Sequence, residues 1–150
     1  MFLNLSGGVG GEILLRHGDG MQRELHDHLA RNNLRFVQQG DVVQTAPHCL
    51  HCKAVLHAVA VNGFYETSEE IVSRVVETSL RTAASLGAGK VTLTALATGF
   101  GRLTMRQFAA AIGPLKANEY PPIERVIICV RHDSDRDDLA ASLGVTSAVA

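Results

Sequence analysis

Two continuous apolar runs flank one long amphipathic helix in the middle of this sequence. The runs are residues 54–61 (AVLHAVAV) and 91–97 (VTLTALA), and such runs are typical of strands buried on both faces. Between them, residues 68–86 carry apolar side chains at helical spacing. Thr67 and Glu70 have the spacing of a capping box, so we expect Thr67 to cap this helix. A strand, a helix and a strand in this order predict an α/β fold with parallel strands.

The flanking segments extend the same alternation of helices and strands. We expect helices at 21–33, 104–112 and 135–143, and strands at 36–37, 42–45 and 126–130. Thr104 and Gln107 again form a capping box, and Cys129 falls in the middle of a strand that we expect to be buried. The 150 residues suit one domain built on a largely parallel sheet with helices on both faces.

Composition excludes several classes of function. The formal net charge is −1 and no basic block is present, which disfavours nucleic-acid binding. No apolar run approaches the roughly 20 residues of a membrane span, and no basic residue precedes the first apolar ones as it does in a secretory signal. Three cysteines indicate reduced thiols and a cytoplasmic setting. We expect no cofactor.

Two glycine-rich segments follow apolar runs. Residues 6–13 read SGGVGGEI and lead into a helical segment through a loop, with a short apolar turn at 13–15. Residues 98–101 read TGFG and follow the run at 91–97. Backbone N–H groups in such loops, close to a helix start, bind anions. Both segments lie at the carboxyl ends of strands, where α/β sheets bind ligands. They predict one phosphate-bearing ligand held from two sides, although the first could equally be a plain strand-to-helix turn.

These segments resemble those of macrodomains, in the order and at the approximate spacing of that family, over residues 4 to about 132. The matching stretches are GGVGGEI at 7–13, MQREL at 21–25, VLHAV at 55–59 and ATGFG at 97–101. The resemblance implies a three-layer α/β/α fold with a mixed, largely parallel sheet. It also implies binding of ADP-ribose, free or attached to a protein, or of a related nucleotide diphosphate.

The resemblance further implies a set of ligand-binding residues. The loops would hold the two phosphates through backbone N–H groups, Phe100 would pack along the distal ribose, and Asn4 would contact that ribose. Arg102 could clamp a phosphate or simply be solvated. The complete set is Asn4, Gly7, Gly8, Val9, Gly10, Gly11, Thr98, Gly99, Phe100, Gly101 and Arg102.

The sequence departs from the family in two ways. Hydrolytic members carry Asp after the Gly-Gly-Val step and His shortly after, where this chain has Gly10 and Leu14. The sequence therefore favours binding of the ligand over its hydrolysis. Two alternatives stay open. One is a hydrolase using Glu12, His57 or His132, and the other is a structural or dimerisation module without a ligand.

The second departure concerns the start of the domain. Family members begin with further strands and an Asp that reads adenine, and this sequence has no matching segment. The part of the binding site that recognises adenine is then absent, built from other residues or supplied by another chain. The exposed sheet edge that results is a route to a homodimer.

A dense group of cysteines and histidines precedes the first apolar run. It comprises His48, Cys49, His51 and Cys52. Zinc uses such ligands, but a separated second ligand pair is missing. We therefore interpret the group as a strand-entry loop and predict no metal site. We expect His57 to be a core histidine with a hydrogen-bond partner.

Overall fold

Five α-helices and four strands lie along residues 3–146, the part of the chain that this computed structural model describes. In chain order they are α1 (Gly8–His17), α2 (Gly20–Arg31), β1 (Val42–Thr45), β2 (Val55–Ala58), α3 (Glu69–Ser85), β3 (Lys90–Thr94), α4 (Met105–Ile112), β4 (Arg125–Cys129) and α5 (Asp133–Leu143). A 3₁₀-helix, Gly113–Ala117, continues α4. The predicted α/β order is confirmed.

The strands pair two by two. β1 and β2 are antiparallel, with Val42 opposite Ala58, whereas β3 and β4 are parallel, with Lys90 opposite Arg125. Helix α3 connects β2 to β3, and α5 follows β4. The strand pairing is thus mixed, with one antiparallel and one parallel pair among the described residues.

Two apolar clusters form the core. The larger is centred on Phe108 of α4 and on Val72 and Val75 of α3, and it includes half-buried residues of β3 and β4. The smaller joins Leu25 of α2 to Val43 of β1. The larger cluster therefore joins α3 and α4 to residues of both strand pairs, while α2 packs against β1.

The helix caps agree with one sequence prediction and correct another. Thr104 and Gln107 form the predicted capping box, since each side chain bonds the backbone N–H of the other. Helix α3 is instead capped by Ser68, whose Oγ accepts from the Ile71 N–H at 3.3 Å. The prediction of Thr67 as the cap was wrong because its hydroxyl donates to the Ala60 carbonyl oxygen at 2.6 Å.

Three local expectations differ from the structure. Cys129 and most of β4 are exposed rather than buried, because β4 pairs along one edge only among the described residues. Residues 36–37 form no strand, although Val37 is buried. Residues 13–15 belong to α1 rather than to a turn.

Candidate functional site

The first glycine segment forms the start of α1 rather than a loop. Gly7 is the N-cap at φ 61° and ψ 168°, a backbone conformation suited to glycine. The first intrahelical bond runs from the Gly11 N–H to the Gly7 carbonyl at 2.9 Å. The N–H groups of Gly8, Val9 and Gly10 therefore point out of the helix end, and no side chain among residues 3–146 caps them. The expectation of a loop through Gly11 was wrong, because helical geometry already begins at Gly8.

Helix α1 is held from its N-terminal side. The Leu5 N–H donates to Oε1 of Gln22 at 2.6 Å, and Nε2 of Gln22 donates to the Leu3 carbonyl at 2.9 Å. These bonds attach the segment before α1 to α2. The helix itself buries no residue completely. Its position therefore depends on this attachment more than on packing.

Asn4 lies in the segment that Gln22 anchors. Its Oδ1 atom is 3.0 Å from Nε2 of His26, and that nitrogen is 2.9 Å from Nε2 of Gln22. The Asn4 side chain is exposed and bonded to α2. Its predicted contact with a ribose stays a prediction.

The second glycine segment forms a tight loop beyond the carboxyl end of β3. Thr98 Oγ1 donates to the Ala95 carbonyl at 2.8 Å, and the Leu103 N–H donates to the Ala97 carbonyl at 3.1 Å. A Cβ atom on Gly101 would lie 2.7 Å from the Ala97 Cβ, closer than real contacts allow. At Gly99, by contrast, a Cβ atom would meet nothing within 4 Å. Gly101 is thus required for the turn, and Gly99 faces open space.

Phe100 brings the two segments into contact. A Cβ atom on Gly7 would lie 2.8 Å from Cε2 of the Phe100 ring, so the ring packs directly on the N-cap of α1. Phe100 also packs against Tyr65, with ring centroids 5.3 Å apart. Phe100 remains 64% exposed. The predicted pair of segments is therefore adjacent in space, with an accessible aromatic ring between them.

Tyr65 is a residue at this site that the sequence reasoning missed. It belongs to a turn after β2, in which Oδ1 of Asn62 accepts from the N–H groups of Phe64 and Glu66, both at 2.9 Å. The available signal was the Asn62-Gly63 pair following a strand. A turn at the carboxyl end of β2 reaches the same edge as the loop after β3.

The three candidate catalytic residues are held in separate places. Glu12 forms an ion pair with Arg16 at 2.8 Å. His57 lies on β2 with Nε2 3.0 Å from Oγ1 of Thr45, and Thr45 is buried. His132 is the exposed N-cap residue of α5. No hydrogen bond or ion pair of the described residues joins any two of them.

Burial lowers the pKa of His57 from its ordinary value, and the nearby Glu24 carboxylate opposes this shift. Removal from water disfavours the charged imidazolium. With Thr45 as a partner, His57 has the hydrogen bond that the sequence predicted, although the residue is half-buried rather than in the core.

The cysteine and histidine group before β2 is an exposed loop. His48 Nε2 lies 2.8 Å from Oε2 of Glu24, and Cys49 Sγ donates to the His17 carbonyl at 3.7 Å. Within residues 3–146, no three His, Cys, Asp or Glu side chains are grouped as metal ligands.

Comparison with known proteins identifies the family. A model of the Macro domain family matches residues 2–112. The chain belongs to the Macro domain family. The match contains both glycine segments and the turn that carries Tyr65. No curated protein matches the sequence at a significant level.

Solved macrodomains share the fold. An Oceanobacillus iheyensis macrodomain with ADP gives a TM-score of 0.78 at 17% identity, covering 95% of this chain and 78% of that one. A Trypanosoma brucei macrodomain in complex with ADP-ribose gives 0.77 at 16% identity, covering 94% of this chain and 59% of that one. This macrodomain therefore spans less than two thirds of the trypanosome protein. The predicted family and macrodomain fold are both confirmed.

No helix of this macrodomain within residues 3–146 combines the length and the apolar character needed to cross a bilayer.

Proposed function

We propose that this macrodomain binds ADP-ribose or a related nucleoside diphosphate between the start of α1 and the loop at Thr98–Gly101. The observation that carries the proposal is the uncapped helix start beside that loop. The N–H groups of Gly8, Val9 and Gly10 have no partner within the helix. Phosphate oxygens are suitable acceptors there, because the helix dipole also favours negative charge.

The second loop supplies the other side of the site. It lies beyond the carboxyl end of β3, where open α/β sheets bind ligands. Gly99 leaves open space in front of its backbone, so a phosphate can approach closely. Arg102 is exposed at the end of the loop and can add a charged contact.

The aromatic pair suits a ribose. Phe100 and Tyr65 stack with ring planes inclined by 31°, and both rings are more than half exposed. An exposed ring next to a phosphate site offers an apolar surface for a sugar face. The macrodomains of known structure that were solved with ADP and with ADP-ribose share this fold, which agrees with such a ligand.

The ligand can be free or carried by a protein. The helix start and the Phe100 ring lie at the surface of the domain, so a ligand attached to a second protein is compatible with the site. We further propose a reducing, cytoplasmic setting, since all three cysteines are unpaired and exposed.

We propose binding without hydrolysis. Gly10 has no side chain that could orient a water molecule, and Glu12 is engaged by Arg16. We therefore expect no ADP-ribose release from an ADP-ribosylated protein during prolonged incubation. Release that disappears in Glu12→Gln or His132→Ala would contradict this part of the proposal.

Calorimetry with ADP-ribose tests the binding site. Gly99→Glu and Gly99→Gln place side chains of equal size in the same open space, so their difference measures the charge of the ligand. A carboxylate near a diphosphate costs about 1 kcal/mol or more, and we expect Gly99→Glu to bind roughly tenfold more weakly than Gly99→Gln. The proposal is wrong if the parent protein shows no heat with millimolar ADP-ribose, or if the two variants bind equally.

A further inference from the structure

The loop before β2 carries two cysteines in a C-x-x-C pattern, CLHC at residues 49–52. Both Cys49 and Cys52 are exposed. Cysteine pairs at this spacing are used in redox proteins, where they alternate between a dithiol and a disulfide. Disulfides in a reducing compartment are transient and are often redox-sensing. The spacing and the exposure make this pair a candidate for reversible oxidation.

Two consecutive hydrogen-bonded turns fold the chain at this pair. The Leu50 N–H donates to the Pro47 carbonyl at 2.9 Å, and the Cys52 N–H donates to the Leu50 carbonyl, also at 2.9 Å. A disulfide needs its two Cα atoms less than about 7 Å apart, whereas residues three apart in an extended chain are separated by roughly 10 Å. Because the turns shorten this separation, the loop starts closer to disulfide geometry than an extended segment would.

The thiol of Cys49 also holds the end of α1. Its Sγ atom donates to the carbonyl oxygen of His17, the last residue of α1, at 3.7 Å. Carbonyl groups in the last turn of a helix have no partner inside the helix, so this bond satisfies one of them. A sulfur in a disulfide carries no hydrogen and cannot donate. Oxidation of Cys49 therefore removes a bond from a helix that buries no residue completely.

The same loop is attached to α2 by bonds that involve neither sulfur. Nε2 of His48 lies 2.8 Å from Oε2 of Glu24. The Ala46 N–H donates to both carboxylate oxygens of Glu24, at 3.0 and 3.1 Å. These bonds persist when the cysteines are oxidised, so the loop stays on α2. We therefore expect oxidation to affect α1 and to leave α2 unchanged.

We propose that Cys49 and Cys52 form a reversible disulfide on reaction with a small-molecule disulfide of the glutathione class, and that this disulfide loosens the last turn of α1. The thiolate of one cysteine attacks the glutathione disulfide, so that a mixed disulfide forms and one glutathione thiolate leaves and takes up a proton. The thiolate of the other cysteine then attacks the protein sulfur of the mixed disulfide and releases the second glutathione. The cysteine pair thereby loses two electrons, and the glutathione disulfide is reduced to two thiols.

The Cys129→Ser variant tests the chemistry, because it leaves Cys49 and Cys52 as its thiols. After incubation with oxidised glutathione, we expect both thiols to be lost, no glutathione to remain on the protein, and dithiothreitol to restore both thiols. Mass spectrometry of a digest should find the two cysteines linked within one chain. Adding Cys49→Ser or Cys52→Ser should stop the reaction at one bound glutathione. Disulfides between chains, or stable glutathione on both cysteines, would overturn the proposal.

Amide hydrogen exchange in the Cys129→Ser protein tests the coupling to α1. Amides in the last turn of α1 should exchange about two- to threefold faster in the oxidised form, the effect of losing one weak hydrogen bond, and those of α2 should not change. Reduced Cys49→Ala lacks the same donor and should match the oxidised form, whereas reduced Cys52→Ala keeps it and should match the reduced form. Equal exchange of α1 in the oxidised and reduced forms would overturn the link to α1, as would faster exchange throughout α2.

Discussion

At the scale of single residues, two glycines of the same loop have opposite requirements. A Cβ atom on Gly101 would meet both the Cβ and the carbonyl oxygen of Ala97 at 2.7 Å, whereas one on Gly99 would meet nothing within 4 Å. Neither residue has the positive φ that would itself require glycine. The difference between them is therefore one of space alone.

Alanine substitutions measure this difference. Gly101→Ala forces the loop apart, and we expect the free energy of unfolding to fall by about 1–3 kcal/mol. Gly99→Ala is the matched control and should change it by less than about 0.5 kcal/mol. Urea denaturation of the two variants gives both values. Equal stability of the two variants would show that the loop has another conformation.

His57 makes stability depend on pH in a defined direction. Burial lowers its pKa in the native state below the ordinary value of 6.5. As the pH falls below 6.5, the unfolded chain binds a proton that the native chain resists, so stability is lost on acidification. The stability contributed by neutral His57 is complete above this value.

Replacing His57 by Gln tests that linkage. The amide can still bond Thr45 but does not titrate. We expect the free energy of unfolding of the variant to fall less steeply than that of the parent between pH 6.5 and pH 5. Urea denaturation at several pH values measures the slope, and parallel curves for the two proteins would contradict the assignment.

At the scale of elements, features set by residues close in sequence were predicted well, whereas contacts between residues distant in sequence were not. The Thr104–Gln107 capping box was found from the sequence because both partners are three residues apart. The cap of α3 was misassigned by one residue, since Thr67 and Ser68 are both hydroxyl residues and only the Ala60 carbonyl distinguishes them. The start of α1 was missed because glycine disfavours helices, while the Gln22 bonds that hold it are distant in sequence.

Burial of β4 could not be read from its composition. Its sequence RVIIC suits a strand covered on both faces, yet Val126, Ile127 and Cys129 are exposed. Burial depends on what lies beside and above a strand, which a local run does not encode. The adjacency of the two glycine segments was predicted from a strand expected before each of them, but among the described residues only the second follows a strand. The aromatic contact through Tyr65 required the structure.

The capping box gives a prediction for α4. Thr104→Ala removes the acceptor for the Gln107 N–H, and we expect a loss of about 0.5–2 kcal/mol in the free energy of unfolding. Thr104→Ser keeps the hydroxyl and should retain most of it. Chemical denaturation of both variants separates the effect of the capping hydroxyl from that of side-chain size. Equal losses in the free energy of unfolding would contradict the role of the hydroxyl.

The exposure of β4 gives a second prediction at this scale. All three thiols are accessible, so we expect three equivalents to react with a thiol reagent under native conditions. Cys129→Ser should reduce this to two without loss of helical circular dichroism. Only two reactive thiols in the parent protein, with the third appearing after denaturation, would show that Cys129 is covered.

At the scale of the whole molecule, the two apolar clusters divide the domain unequally. The larger unites α3, α4 and α5 with β3 and β4 and also packs on Val42 of β1 and Ala58 of β2, whereas the smaller joins α2 to Val43 of β1. β2 and β3 are not paired with each other in the described part of the chain. Helix α3 is then the main bridge, since it contacts both β1 and β2.

This division predicts unequal local stability. Elements with fewer buried contacts open at lower free energy than the global transition, so amides of α2 should exchange with solvent through a smaller opening than amides of α3 and α4. Leu25→Ala and Phe108→Ala each create a buried cavity and should lower the local free energy of unfolding by about 2–5 kcal/mol.

Native-state hydrogen exchange measures the effect of each variant. Leu25→Ala should accelerate exchange only at amides around the smaller cluster, because α3 and α4 do not depend on Leu25. Phe108→Ala should accelerate amide exchange around both clusters, since loss of the larger cluster also removes the support of the smaller one. Uniform acceleration in both variants would mean that the two clusters unfold together.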